Sequence, residues 1–338
     1  MLLSLSSYAV VAALAGVSSA ASYFVAGNCE TKYPGISESF KEAWSMAAHV
    51  ANTMDADNDD NQKLVYSNLF KDRDTVANKQ TIRDYFALLG SLQLVSDAKQ
   101  ADLIYDCDND SNDRWKQLDG RKVYNDEVYY MRTEKEEPGC RRLNQAGEPR
   151  ALANTYRNPL EGSEESKQFK AGRTVVSICD KLLRSYPNWG TASKLAMSLL
   201  SKQMLDPQGG MKDVLSILGS PCTSPIILHE AFHSRLIGPD AETHKIDVKG
   251  TGNPGPAYGW AKARVLSRDD QFKNADNFAV YAFALEVFKR GYTIGDGEND
   301  LATGTLKKVA EAAKEVARMI RSLPSKCRNW VYRRANDC

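Results

Sequence analysis

The stretch Ser224-Pro225-Ile226-Ile227-Leu228-His229-Glu230-Ala231-Phe232-His233-Ser234-Arg235-Leu236-Ile237-Gly238 decides how this chain is read. Taken as a helix, it sets His229 and His233 four positions apart, one turn along the same face. Two imidazoles so spaced can share one Zn²⁺, and Glu230 beside them can take a proton from the water on that metal. Ser224 is the expected N-cap, Pro225 the first helical position, and Gly238 followed by Pro239 the stop. The apolar run Ile226, Ile227, Leu228 expects a helix inside a domain rather than on its surface. The chain has only 4 His, and two of them fall in this motif, which favours a metal site over a chance match.

The chain opens with an apolar run from Tyr8 to Val17 that ends in small residues, with Ser18 and Ala20 where a signal peptidase cuts. Residues 1–20 are therefore expected to be a cleaved secretory signal, although no Lys or Arg precedes the run. The run is too short to span a bilayer and nothing comparable follows, so a secreted, extracellular product with no membrane partner is expected. All 7 Cys lie after this segment and none forms a Cys-x-x-Cys pair, as in a disulfide-bonded extracellular protein. Asn109-Asp110-Ser111 is a glycosylation sequon that suits a surface loop. With 44 basic and 43 acidic residues, the charge gives no pull toward nucleic acid.

Residues 37–54, 63–71 and 78–92 carry apolar stripes at helical spacing, and these read as a helical N-terminal layer. Alternating Asp clusters follow, at Asp55, Asp57, Asp59, Asp60 and at Asp106, Asp108, Asp110, Asp113. Positions six and twelve of an EF-hand loop would hold Asp60 and Tyr66, then Ser111 and Gln117, where Gly and Glu are required, so solvated loops are expected. Residues 102–107, 151–156 and 173–179 are strand candidates, with polar loops at 108–148 and 157–172 between them. Helices are expected at 191–205, 211–218, near 260–266, at 274–289 and at 303–323.

A catalytic zinc needs a third protein ligand. The metzincin spacing fails, because Leu236 and Pro239 stand where Gly and His are required. The thermolysin-like spacing is weak, because nothing acidic lies between Asp247 and Asp269. Asp240, Glu242, His244 and Asp247 are the nearby candidates. The order of His229-Glu230-x-x-His233, an Asp, Tyr258-Gly259, and Asn274-Ala275-Asp276-Asn277-Phe278-Ala279-Val280-Tyr281-Ala282 resembles the aspzincin metalloendopeptidases, the deuterolysin and peptidyl-Lys metalloendopeptidase family. Val175-Val176-Ser177-Ile178-Cys179 resembles the strand ahead of that family's zinc helix. The resemblance covers mainly residues 173–283. It departs where the family has an Asp three residues before the Tyr, since Gly255 stands there and Asp247 is the upstream Asp.

The resemblance implies Asp247 as third ligand, Tyr258 as donor to the oxyanion, and Asp276 in a substrate pocket with a loose preference for basic residues, since Ala279 replaces a second acid. It also implies an α+β, zincin-like fold, mostly helical, with a small antiparallel or mixed sheet packed on the zinc helix. The expected organisation is a signal peptide at 1–20, a helical layer at 21–100, the catalytic region at 101–290 and a helix with a Cys-containing tail at 291–338. The expected function is a secreted zinc metalloendopeptidase acting on protein or peptide substrates, with Zn²⁺ as cofactor and a monomer as the working state. The competing expectation is a secreted zincin-like binding protein or effector with weak or no catalysis.

Overall fold

The computed structural model describes residues 20–54, 60–71, 76–118, 122–134, 137–144, 147, 151–160, 162–185, 215, 223–240, 243–250, 255–295 and 297–308. Among them the strands are, in chain order, β1 (Ser22–Val25), β2 (Gln93–Leu94), β3 (Leu103–Asp106), β4 (Trp115–Gln117), β5 (Val123–Asp126), β6 (Arg132–Glu134), β7 (Ala153–Tyr156), β8 (Thr174–Ile178), β9 (Tyr292–Ile294) and β10 (Leu306–Lys308). The main sheet has the order β2-β1-β3-β8-β7. Its first four strands are parallel and β7 runs antiparallel to β8 at the edge. β3 (LIYD) and β8 (TVVSI) are buried at every position. Such strands read as unbroken runs instead of alternating, because both faces are covered. With helices packed on a mixed sheet, the class is α+β.

The two-histidine helix, Thr223–Phe232, is buried at all ten positions. It packs between the long helix Ile36–Thr53 and the helix Ala275–Phe288. Phe232 stacks on Phe278 with ring centroids 4.7 Å apart, and Phe86 meets Phe232 edge-on at 5.2 Å. Below it Tyr105 of β3 donates to the Ile227 carbonyl at 3.4 Å and touches Phe40 of the long helix. Large side chains buried on this scale contribute about 1.5–3 kcal/mol each. They fix the position of a helix that has no exposed face of its own.

Several expectations need correction. Residues 21–100 supply the expected helices (Ile36–Thr53, Asp60–Leu69 and Val76–Gly90) but also β1 and β2, and β1 lies between β2 and β3. A boundary near residue 100 would thus cut through the sheet. The N-cap of the long helix is Gly35, at φ 90°. The Glu30 carboxylate accepts from the N–H of both Gly35 and Ser37, supplying the negative charge a helix start favours. The region 108–148, expected to be loop, contains the antiparallel sheet β4-β5-β6. The two-histidine helix ends at Phe232, six residues before Gly238. A Cβ on Gly238 would come within 2.6 Å of the His244 backbone, so this glycine permits a close chain crossing.

The second Asp cluster is not a solvated loop, apart from Asp113, which is exposed. Asp106, Asp110 and Asp126 are buried around Arg114, which bridges Asp126 at 2.8 Å and Asp108 at 3.0 Å. Asp110 accepts from Ser177, Tyr156 and the Cys140 N–H. Burial raises the Asp126 carboxyl against the opposing pull of Arg114. Four short carboxylates with one long cation and local N–H donors fold inward because each finds a partner there. Asn109 is half-buried within this knot at φ 62°, accepting from the Asp180 N–H, so its sequon is not on an open loop.

Two disulfides, Cys29–Cys107 and Cys140–Cys179, tie the ends of β3 and β8 to neighbouring segments. They fit an oxidising compartment. No helix among the described residues is long and apolar enough to cross a membrane. The tail expected as a helix from 303 instead ends a short helix at Thr303 and enters β10, paired with β9. The signal segment up to Ser19, residues 55–59 of the first Asp cluster, the helices expected at 191–205 and 211–218 (Leu215 excepted), Cys222, Cys327, Cys338 and the chain after 308 lie outside the described residues.

Candidate metal centre

His229 projects from the last turn of the buried helix, and His233 from the turn residue directly after it, toward a loop that carries Asp247. Their Nε2 atoms are 3.1 Å apart, and Asp247 Oδ1 lies 3.2 Å from the first and 3.3 Å from the second. Bonds of about 2.0–2.1 Å from a tetrahedral zinc hold their donor atoms about 3.3 Å apart. The three gaps match that triangle. His229, His233 and Asp247 form the group able to hold a metal ion among the described residues. Asp240 and His244 line the same cleft but do not join the triangle.

Each ligand is held from behind. His233 Nδ1 is 2.8 Å from the Lys245 carbonyl, which fixes that nitrogen as the N–H and leaves Nε2 with its lone pair free. His229 Nδ1 faces Asp276 Oδ1 at 3.2 Å. This contact is at ion-pair distance but off line for a hydrogen bond, so Nδ1 has no other partner. Tyr258 donates to Asp247 Oδ2 at 2.9 Å, which leaves Oδ1 for the triangle. Burial disfavours the His229 cation, but Asp247 and Asp276 outweigh it and raise its pKa well above the usual value. Burial likewise opposes the Asp247 carboxylate, and the two imidazoles overcome this and hold its pKa far below the carboxylate range.

The loop with Asp247 is clamped onto the start of the Ala275–Phe288 helix. Asn274 Oδ1 accepts from the Val248 N–H, and its amide donates to the Ala257 carbonyl and to Asn277. Ile246 bonds through its backbone to Lys273 and Ala275 on either side. Lys245 anchors the preceding residue, its ammonium lying 4.0 Å from the Phe272 ring centroid and close to Tyr85 and Phe278. Gly259 adopts φ 78°, ψ 165°, a conformation open essentially only to glycine. There its N–H donates to Asp276 Oδ2 at 2.6 Å. The Tyr-Gly pair therefore exists because one residue must hold Asp247 while the next turns its backbone onto Asp276.

Glu230 faces the cleft from the helix. Thr155 of β7 donates to Glu230 Oε2, leaving Oε1 without a partner among the described residues. β7 pairs with β8 along one edge, and its other edge has no strand partner among the described residues and forms a wall of the cleft. Tyr258 is 42% exposed on the facing rim, with its hydroxyl end crowded against Asp247. Burial of that end, then the Asp247 charge, raises its pKa and keeps it protonated.

The site residues read from sequence are thus brought together, with one difference in role. Asp276 is 4% exposed and both its oxygens are engaged, by His229 and Gly259. It sits behind His229 and outside the cleft lining, so a pocket for a substrate lysine is not where its carboxylate lies. Thr155 and the Lys245 carbonyl carry no sequence reading, and Asn274 stands in the quoted motif without a role of its own. Asn274, Asp276 and Asn277 opening an otherwise apolar helix were the signal for two polar clamps. Thr155 left no signal beyond its place in a strand. Comparison with protein-family models and with curated proteins returns no match.

Proposed function

We propose that the chain is a secreted zinc metalloendopeptidase of zincin-like build, close in its site to the aspzincins. The observation that carries this reading is the coincidence of a metal-sized His229, His233, Asp247 triangle with a carboxylate, Glu230, that has one oxygen held and the other free toward the cleft. A structural metal site has no use for such a base. Zinc held by the triad would supply a Lewis acid and bring the pKa of a bound water toward about 7. Glu230 Oε1 takes the proton of the attacking water and delivers it to the leaving amine. Thr155 aims that carboxylate from the edge strand. An extended peptide laid along the free edge of β7 would gain backbone hydrogen bonds there, the mode by which strand edges recruit peptides. Tyr258 stands on the opposite rim, where its hydroxyl can leave Asp247 for the developing oxyanion, a contact typically worth about 3 kcal/mol. Two disulfides and the N-terminal segment support secretion.

The test is metal content and casein hydrolysis by the mature protein, with and without a chelator, beside Glu230→Gln. The unsubstituted protein should hold one zinc and cleave. The variant should keep its zinc and lose about 10³-fold or more in rate, because the base is removed without touching a ligand. Zinc binding with no hydrolysis by the unsubstituted protein, or full activity in the variant, would refute this mechanism.

A further inference from the structure

The cleft beside the triad, about 750 Å³ in volume, carries more cations than anions outside the metal-site residues. Arg132, Arg142, Arg157 and Arg235 line it, against Glu134 and Asp240. Both acids are already engaged: Glu134 lies 3.6 Å from Arg132, and Asp240 Oδ1 accepts from the N–H and hydroxyl of Thr243. Within the site itself the charges of Glu230 and Asp247 would balance a divalent ion. The surplus is therefore positive, shared by Arg142, Arg157 and Arg235 and partly offset by Asp240.

These two arginines come from different elements that meet on the His233 side of the triad. Arg157 directly follows β7, the edge strand, and its Nη2 donates to the Gly238 carbonyl. Its Nε is buried with no hydrogen-bond partner among the described residues. Arg235 follows the two-histidine helix and is fixed through its own N–H to Thr174 Oγ1, while no described residue accepts from its guanidinium. Burial, and then the like charge of Arg235, disfavour the Arg157 cation, with Asp240 only partly opposing them. Both arginines line the cleft with guanidinium N–H donors left over, and the planar fork of a guanidinium matches a carboxylate.

We propose that Arg157 and Arg235 form a carboxylate subsite that makes the cleft select peptides with a Glu or Asp side chain on the His233 side of the metal. This deepens the peptidase reading and rests on it for the word substrate, but the subsite itself needs only a peptide-binding cleft. It is the reverse of the basic preference that the family resemblance implies. The buried Asp276 offers a substrate lysine nothing, and the exposed charges would repel it.

The experiment uses the full chain carrying Glu230→Gln, loaded with zinc, and fluorescent peptides identical but for one Glu or Lys. Binding is followed by anisotropy at low and high salt. The Glu peptide should bind about tenfold tighter at low salt, with the gap narrowing as salt rises. Adding Arg235→Gln should remove most of the gap, and Arg235→Glu should reverse it. Arg157→Gln should act in the same direction. Should the loss of its bond to Gly238 unfold that variant, by circular dichroism, the two Arg235 variants decide. Equal binding of both peptides, or tighter binding of the Lys peptide, overturns the proposal. Hydrolysis by the unsubstituted protein is scored separately. Acidic preference without hydrolysis would sink the peptidase reading and leave the subsite standing, and hydrolysis without acidic preference would do the reverse.

Discussion

Asp276→Asn changes one atom at the back of the metal site, and its consequence can be worked through from the geometry. The carboxylate faces His229 Nδ1 with Oδ1 at 3.2 Å and accepts from Gly259 with Oδ2 at 2.6 Å. An Asn amide keeps one oxygen. The short contact to the Gly259 N–H requires an acceptor, so the oxygen turns there and the NH₂ turns toward His229. His229 must then present Nδ1 as the acceptor and carry its proton on Nε2, the atom that points into the triangle. A protonated Nε2 cannot ligate. The alternative, keeping Nε2 free, sets two N–H donors against each other in a buried site. Either outcome loses the carboxylate's charge contact with Nδ1, an interaction at a charged group worth about 1.5–3 kcal/mol, which corresponds to the 10–100-fold loss of metal affinity usual for such supporting residues. The assay is zinc affinity by competition with a chromophoric chelator, on protein shown to be folded by circular dichroism. Thermal unfolding in excess chelator serves as a control for metal-independent damage. Affinity within about threefold of the parent would refute the bracing role, since the predicted loss is at least tenfold. A changed KM for lysine peptides with unchanged zinc affinity would return Asp276 to the substrate.

Asp247→Ala should abolish tight zinc binding while Asp240→Ala leaves it within about threefold, since only Asp247 closes the triangle; equal losses in direct metal titrations would count against the assignment. Arg114→Leu should destabilise the fold by about 3–5 kcal/mol, because Asp126 and Asp106 stay buried without their cation; urea denaturation showing less than about 1 kcal/mol would contradict this. His244 has its pKa pushed down to about 4, first by burial and then by Arg157 and other nearby cations. The unfolded chain, titrating near 6.5, binds the proton that folded His244 refuses, so stability rises with pH between about 4 and 6.5 and this penalty is absent above that window. His244→Asn should therefore flatten the acid side of the stability profile by about 1 kcal/mol, allowing for solvent screening at a half-exposed group; an unchanged slope would exclude His244 as its source.

The sequence by itself determined the parts of this protein that are local. Helical spacing carried His229, Glu230 and His233 onto one turn, and the apolar runs marked β3, β7 and β8 and the long helices, because period and propensity act over a few residues. The order of Asp247, Tyr258-Gly259 and Asn274 to Asn277 marked which polar residues belonged together without saying what each did. Tertiary structure decided those roles. Asp276 looks from sequence like an acid for a substrate, and only the approach of the Gly259 backbone and His229 consumes both its oxygens. Asp106, Asp108 and Asp110 have the composition of an exposed loop, and Tyr156 and Ser177, brought from other elements, join the neighbouring Arg114 in drawing them inward. β1, which follows directly on the segment read as a signal, is a strand because β2 and β3 flank it. A polar side chain's place depends on whether distant partners meet its charge and hydrogen bonds, and the meeting of distant segments is written in the packing of the whole chain, not in the residues beside it.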